Sequence, residues 1–246
     1  MYSKSGSPLA ISHRGLRTGA PENSIPAFLA AIEAGAAGIE LDVHASRDGV
    51  IYVHHDSRPG GTDPEGNPWR EISRLDSKEI SRARLSGNIA IPDLDSVIEA
   101  VNGRGAIFIE IKGSSMEETV ARCLKRHYGR IDQLSVHSFD HRIIKRMAGL
   151  VPSLHTGILQ VSYLMDSCAA LRLSGASDLW QHVDFIDAAL VSGVHACRGR
   201  VIAWTANTPA QWNILENLGV DGVCTDHIDN YINWMNPEFR SDCGAV

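Results

Sequence analysis

Apolar residues along this chain recur with two alternating periods. Short runs rich in Ile, Val and Leu give way to longer stretches whose apolar residues fall three and four apart. The short runs lie at 9–12, 38–43, 50–54, 106–111, 133–136, 155–159, 178–182, 201–205 and 222–225, and they predict strands. The longer stretches at 25–34, 94–101, 115–127, 141–150, 187–197 and 209–218 predict helices between them. In the first helix Phe28, Leu29 and Ile32 share a face, Asn23 or Ser24 is the cap, and Pro26 falls in the first turn. Pro209, after Thr208, opens a later helix in the same way.

Repeated βα units predict an α/β protein with a parallel sheet. Nine strands and six or seven helices within 246 residues suit a TIM (β/α)8 barrel, with the strand pair at 38–55 forming a hairpin extension. A doubly wound open sheet is the alternative, but no Gly-rich dinucleotide loop follows the first strand. Residues 57–91 break the rhythm with a Gly-, Pro- and Asp-rich stretch from Arg58 to Pro68. The reading is one domain over residues 1–246, with an inserted loop or subdomain at about 57–91 on the active-site face.

Composition narrows the function. Apolar residues make up 43% and charged residues 21%, the balance of an ordinary globular protein. A net charge of −6 argues against nucleic acid as a partner, so an anionic substrate must be drawn in by local groups. No run approaches a membrane span, and no apolar segment follows Met1 to Gly6 as a leader would require. The expectation is a cytoplasmic protein without stable membrane insertion. The five cysteines (Cys123, Cys168, Cys197, Cys224, Cys243) are odd in number and form no C-x-x-C pair, which predicts reduced thiols.

The candidate chemistry lies at strand ends. Side chains alternate along a strand, so Glu40 and Asp42 share a face about 6–7 Å apart. Glu110 and Lys112 do the same on a later strand. Inward carboxylates are costly unless they meet a cation, and three hard oxygen donors suit Mg2+ or Ca2+. Pairing of Glu40 or Asp42 with an arginine at the barrel mouth is the other reading. His13 and His55 each end a strand, beside Arg14 and Asp56, and supply a proton donor and acceptor near neutral pH. Arg14 and Lys112 offer positive charge to a phosphate. Trp204 is either a wall against the alcohol part of a substrate or a core residue. Thr225 and Asp226 fall at the mouth. His54 competes with His55, since periodicity does not say which faces inward. His44, His127, His137, His141, His155, His182, His195 and His227 have no such context and read as structural or surface groups.

Together these residues resemble the glycerophosphodiester phosphodiesterase family. The matching pieces are His13-Arg14-Gly15, Pro21-Glu22-Asn23-Ser24, Glu40-x-Asp42, His55-Asp56, Glu110-x-Lys112, Ser138-Phe139-Asp140, Trp204-Thr205-x-Asn207, and Gly219-Val220-Asp221-Gly222 through Thr225-Asp226. They keep the family's order from residue 13 to residue 226. The resemblance implies a TIM barrel with a small insertion after the His-Asp motif. It implies a divalent cation on Glu40, Asp42 and Glu110, His13 and His55 as the acid/base pair, and Arg14 and Lys112 near the phosphate. It further implies attack by the neighbouring glycerol hydroxyl on phosphorus, a cyclic phosphate, and release of glycerol 3-phosphate and an alcohol such as choline or ethanolamine.

Three departures stand out. Ser57-Arg58-Pro59-Gly60-Gly61-Thr62 replaces the family's usual Leu-Asp-Arg-Thr-Thr stretch. Asp93 stands where Thr is usual, and His227-Ile228 follows Thr225-Asp226 where proline is common. Two other functions share the site logic. One is a lysophospholipid or sphingolipid headgroup phosphodiesterase that stops at a cyclic phosphate. The other is a non-catalytic barrel that binds a phosphate ligand, whose sign would be a missing acid/base or metal residue.

Overall fold

The computed structural model describes residues 7–236. Residues 1–6, read above for a leader, and Cys243 lie outside the described residues. The strands are β1 (Leu9–His13), β2 (Gly38–Ala45), β3 (Ile51–Val53), β4 (Arg84–Leu85), β5 (Ile89–Ala90), β6 (Ala106–Ile111), β7 (Leu134–Ser138), β8 (His155–Gln160), β9 (Asp178–His182), β10 (Arg200–Trp204) and β11 (Gly222–Thr225). The helices are α1 (Ile25–Glu33), α2 (Ser77–Ile80), α3 (Leu94–Val101), α4 (Glu117–Arg126), α5 (His141–Leu150), α6 (Ser167–Ser174), α7 (Ala188–Ala196), α8 (Pro209–Leu218) and α9 (Ile228–Met235).

The main sheet runs β1-β11-β10-β9-β8-β7-β6-β2, and β2 pairs back onto β1 to close the ring. Every pairing in that ring is parallel, so the fold is the TIM barrel rather than an open doubly wound sheet. β3 lies outside the ring, antiparallel to β2. This is the expected hairpin extension.

Alternation sorts the side chains into two cores. Ile39, Leu41 and Val43 of β2, with Ile107, Ile109 and Ile111 of β6, pack outward against the helices. Ile11, Phe108, Leu159, Trp180, Ile202 and Cys224 form a separate cluster filling the barrel itself. The interior is tight: a Cβ on Gly157 would lie 2.7 Å from Trp180, so that glycine makes room for the indole. At the opposite end from the mouth, Arg200 grips the fully buried Asp178 through Nε at 2.8 Å and Nη2 at 2.6 Å.

Local sequence sets the helix starts. Ser24 accepts from the Ala27 amide and caps α1, while Asn23 turns elsewhere. The buried face of α1 is Ala27, Phe28 and Ala31, one step round from the face predicted through Leu29 and Ile32. Thr208 and Gln211 form a capping box at α8. Asp93 accepts from the Ser96 amide and caps α3, a position that suits Asp and Thr alike, so the departure to Asp keeps a good cap. α6 and α9 have no counterpart in the sequence reading. Residues 57–91 carry short turns, α2 and the β4–β5 hairpin, with a small core of Trp69, Ile72, Leu75, Ile80, Ala83 and Ile91 against Tyr52.

One expectation is corrected. Cys168 and Cys197 are joined by a disulfide between α6 and the end of α7, with Cα atoms 5.9 Å apart. Their 29-residue separation hides the pairing in sequence; adjacent packing of the two helices creates it. Cys123 and Cys224 are buried free thiols, and burial pushes Cys123 up to about 12.

The Asp178–Arg200 pair supplies a stability test. Arg200→Met leaves a buried carboxylate uncompensated, which costs about 3–5 kcal/mol. Urea unfolding of the variant checks this; a loss below about 1 kcal/mol contradicts the arrangement.

Candidate active site

The strand carboxyl ends meet in a cavity of about 160 Å3 lined by His13, Arg14, Glu40, His55, Glu110 and Lys112, together with His137, Cys224 and the side chains of Phe139, Leu159, Trp180 and Trp204. Six of the eight residues predicted to form the site therefore share one cavity, and Trp204 lines it as a seventh. The eighth, Asp42, lies fully buried just behind Arg14 and Lys112.

The His13-Arg14-Gly15 turn has a backbone logic. Arg14 lies at φ 59° and Gly15 at φ 88°, both left-handed. A Cβ on Gly15 would sit 2.8 Å from Ala27, so only glycine fits between the turn and α1. The Arg14 amide donates to the Glu40 carbonyl at 3.0 Å, and the Asn23 amide donates to the Arg14 carbonyl at 3.0 Å. Asn23, at φ 56° and buried, donates through Nδ2 to Asp42 Oδ2 at 2.9 Å. Arg14 Nε lies 3.1 Å from the same oxygen, and Lys112 Nζ lies 3.5 Å from Asp42 Oδ1. Lys112 is also 3.2 Å from Glu110.

The acidic cluster is only partly neutralised. Burial disfavours a charged Asp42, but Arg14, Asn23 and Lys112 outweigh it and hold the carboxyl below its ordinary range. Glu40 lacks such partners: burial first, and then the Asp42 charge, push it up to about 7. Burial and the Glu40 charge raise Glu110 as well. Glu40 Oε2 and Asp42 Oδ1 are buried and accept no hydrogen bond. Buried acceptors without donors are rare and costly. Oxygens of this kind beside Glu110 fit a hard divalent cation, so the donor set and the group implied by the carboxylates agree.

The two histidines have different surroundings. His13 donates from Nδ1 to Asp226 Oδ1 at 2.7 Å, leaving Nε2 3.8 Å from Glu40. Burial pulls the His13 pKa down, but the Asp226 hydrogen bond and the Glu40 charge outweigh it, and the net shift is upward. Asp226 is in turn held by Asn207, whose Nδ2 donates to it at 2.7 Å and whose Oδ1 accepts from its amide. Arg17 Nη2 lies 2.8 Å from Asp226. His55 is half-exposed and donates from Nδ1 to Asp56 at 2.8 Å. His44 Nε2 donates to the His55 carbonyl at 3.1 Å and steadies that turn. His54 is buried away from the cavity and donates to the Asp56 carbonyl.

Two residues are given no site role by the sequence reading, although Phe139 falls in its Ser138-Phe139-Asp140 motif. His137 lines the cavity, fully buried and stacked on Trp180 at 4.2 Å, which corrects its placement among structural or surface histidines. The predicted strand at 133–136 stops one residue short of it, whereas β7 runs on to Ser138. The signal was present: Leu134 and Val136 are apolar while Ser135 and His137 are polar, so the polar face of this strand turns into the barrel. Phe139 also lines the cavity and meets Trp204 edge-to-face at 5.5 Å. Trp204 donates through Nε1 to the Trp180 carbonyl at 3.0 Å, which fixes its indole plane.

A barrel whose mouth joins acidic donors, two histidines and two cations defines a phosphodiester-cleaving type of site. The sequence profile of the Glycerophosphoryl diester phosphodiesterase family matches residues 13–230, and the chain belongs to that family. It is 30% identical over 237 residues to a glycerophosphodiester phosphodiesterase of Caldanaerobacter subterraneus, covering 92% of this chain and 96% of that one. It is 29% identical over 235 residues to a glycerophosphodiester phosphodiesterase of Bacillus altitudinis, covering 90% and 95%. An Oleispira antarctica phosphodiesterase solved in complex with the product sn-glycerol-3-phosphate superposes with a TM-score of 0.82 at 24% identity over 100% of both chains.

The His13–Asp226 hydrogen bond gives a titration test. With Asp226 replaced, the largest force raising the His13 pKa is gone, so in Asp226→Asn the metal-free His13 resonance titrates at lower pH than in the wild type. NMR of the imidazole carbon proton reads this; an unchanged or higher midpoint contradicts the assigned interaction.

Proposed function

We propose that this enzyme hydrolyses glycerophosphodiesters, such as glycerophosphocholine or glycerophosphoethanolamine, to glycerol 3-phosphate and an alcohol, with a divalent cation, Mg2+ or Ca2+, bound at the mouth. The observation that carries the reading is the set of unbonded, buried carboxylate oxygens on Glu40 and Asp42 next to two histidines at one cavity. Family membership and the glycerol 3-phosphate complex of the Oleispira antarctica relative support the substrate class. Glu40, Asp42 and Glu110 would hold the cation. When bound it supplies Lewis-acid polarisation of a non-bridging phosphate oxygen.

The protein's own groups do the rest. Arg14 and Lys112 face the phosphate with positive charge. His55, exposed at the cavity edge, accepts the proton of the glycerol hydroxyl next to the phosphate. That oxygen forms a bond to phosphorus as the bond to the other alcohol breaks. His13, whose imidazolium is stabilised by Asp226 and Glu40, donates a proton to the departing oxygen. The product of this step is a cyclic phosphate. The roles then reverse: His13 takes a proton from water, the water oxygen bonds to phosphorus as the ring bond from phosphorus to the attacking glycerol oxygen breaks, and His55 returns its proton to that oxygen. Trp204 and Phe139 present an apolar wall to the leaving alcohol.

His13→Ala and His55→Ala each lower turnover of glycerophosphocholine by about 10²–10⁴. A steady-state assay with phosphorus NMR of the product checks both rate and product. Near-wild-type turnover in either variant contradicts the roles, and a cyclic phosphate that accumulates as the final product favours headgroup transfer without ring opening.

A further inference from the structure

Glu40, Glu110 and His137 stand on three neighbouring strands of the ring, β2, β6 and β7. Glu110 and His137 are register partners across the β6–β7 pair. One donor atom from each of the three lies within 4.8 Å of the others, close enough to share one ion. His137 Nε2 is 3.5 Å from Glu40 Oε1. The imidazole is almost fully buried, and its plane is set by stacking on Trp180, with an interplanar angle of 14°.

His137 Nδ1 is buried and makes no hydrogen bond. Buried polar side chains are nearly always paired, and an exception calls for a cause. The other nitrogen, Nε2, is turned to Glu40, whose Oε2 accepts no hydrogen bond.

We propose that His137 adds a nitrogen ligand to the cation held by Glu40 and Glu110, and that this ligand tilts the site from Ca2+ and Mg2+ towards a later first-row transition ion such as Co2+. The inference rests on the metal reading above. Oxygen-only sets suit Mg2+ and Ca2+, whereas an imidazole nitrogen binds ions of the Irving–Williams series more strongly as the series advances. His137 is thus a specificity-determining residue for the metal and takes no part in proton transfer.

Calorimetric titration of the metal-free protein with Co2+ and with Mg2+ tests this, alongside proton NMR of the Co2+ form. The expected result is Co2+ binding with a strongly shifted exchangeable imidazole resonance that is absent in His137→Gln. In that variant the ratio of Co2+ to Mg2+ affinity falls by about 10–100-fold, the scale on which a lost group at a metal site is felt. Co2+ binding without the shifted resonance in the wild type, or a ratio unchanged within about twofold in a folded His137→Gln, overturns the proposal and leaves the oxygen-ligand reading standing. Absence of any divalent binding by the wild type overturns both. Should the variant fail to fold, the wild-type resonance alone decides.

Discussion

The structure turns on buried negative charge that the protein alone does not balance. Glu40 and Glu110 sit in the mouth of the barrel, with Asp42 behind them, and Arg14 and Lys112 answer with fixed positive charge. Removing a carboxylate from water is expensive, and it is tolerated where a cation or a donor takes the place of the lost hydration. The protein spends its two cations and Asn23 chiefly on Asp42, which leaves Glu40 with a raised pKa and an unbonded oxygen. In the function proposed, a divalent cation and a phosphate of opposite sign would complete that electrostatic balance. The net charge of −6 does not attract an anion, so the local arrangement carries the whole burden of substrate capture.

Barrel closure is what makes the arrangement possible. His13 and Asp226 are 213 residues apart, yet they share a hydrogen bond because β1 pairs with β11 in register, with Ser12 opposite Thr225. Asn207, in the loop just beyond β10, reaches across to hold Asp226. On the other side β1 pairs with β2, which sets His13 opposite Glu40. One imidazole is therefore flanked by carboxylates from both of its neighbours in the ring. Its orientation and protonation follow from the register, and a shift of one residue in either pairing would turn the carboxylate out towards the helices.

Much of this was legible in the sequence because strand alternation and motif spacing are local signals. The eight parallel strands, the hairpin at β2–β3 and the meeting of His13, Glu40, Glu110 and Lys112 at one end all follow from such signals. What stayed hidden depends on neighbours distant in sequence. The disulfide between Cys168 and Cys197 needs α6 and α7 side by side. The place of His137 depends on how far β7 runs before its helix begins, and strand ends are poorly marked when the last residues are polar. Asn23 reads as a helix cap by residue type, but Ser24 takes that task, and the left-handed backbone at Asn23 sends its amide to Asp42 instead.

The central claim is that the unbalanced carboxylates await a divalent cation. Thermal unfolding of the metal-free protein with and without Mg2+ or Ca2+ tests it directly, because an ion that binds only the folded state stabilises it by about 2.7 kcal/mol at a hundredfold excess over its dissociation constant. The account predicts a rise in the unfolding midpoint for the wild type that disappears when Glu110 is replaced by Gln. An unfolding midpoint indifferent to every divalent ion, or a rise of equal size in the Glu110→Gln protein, would contradict it.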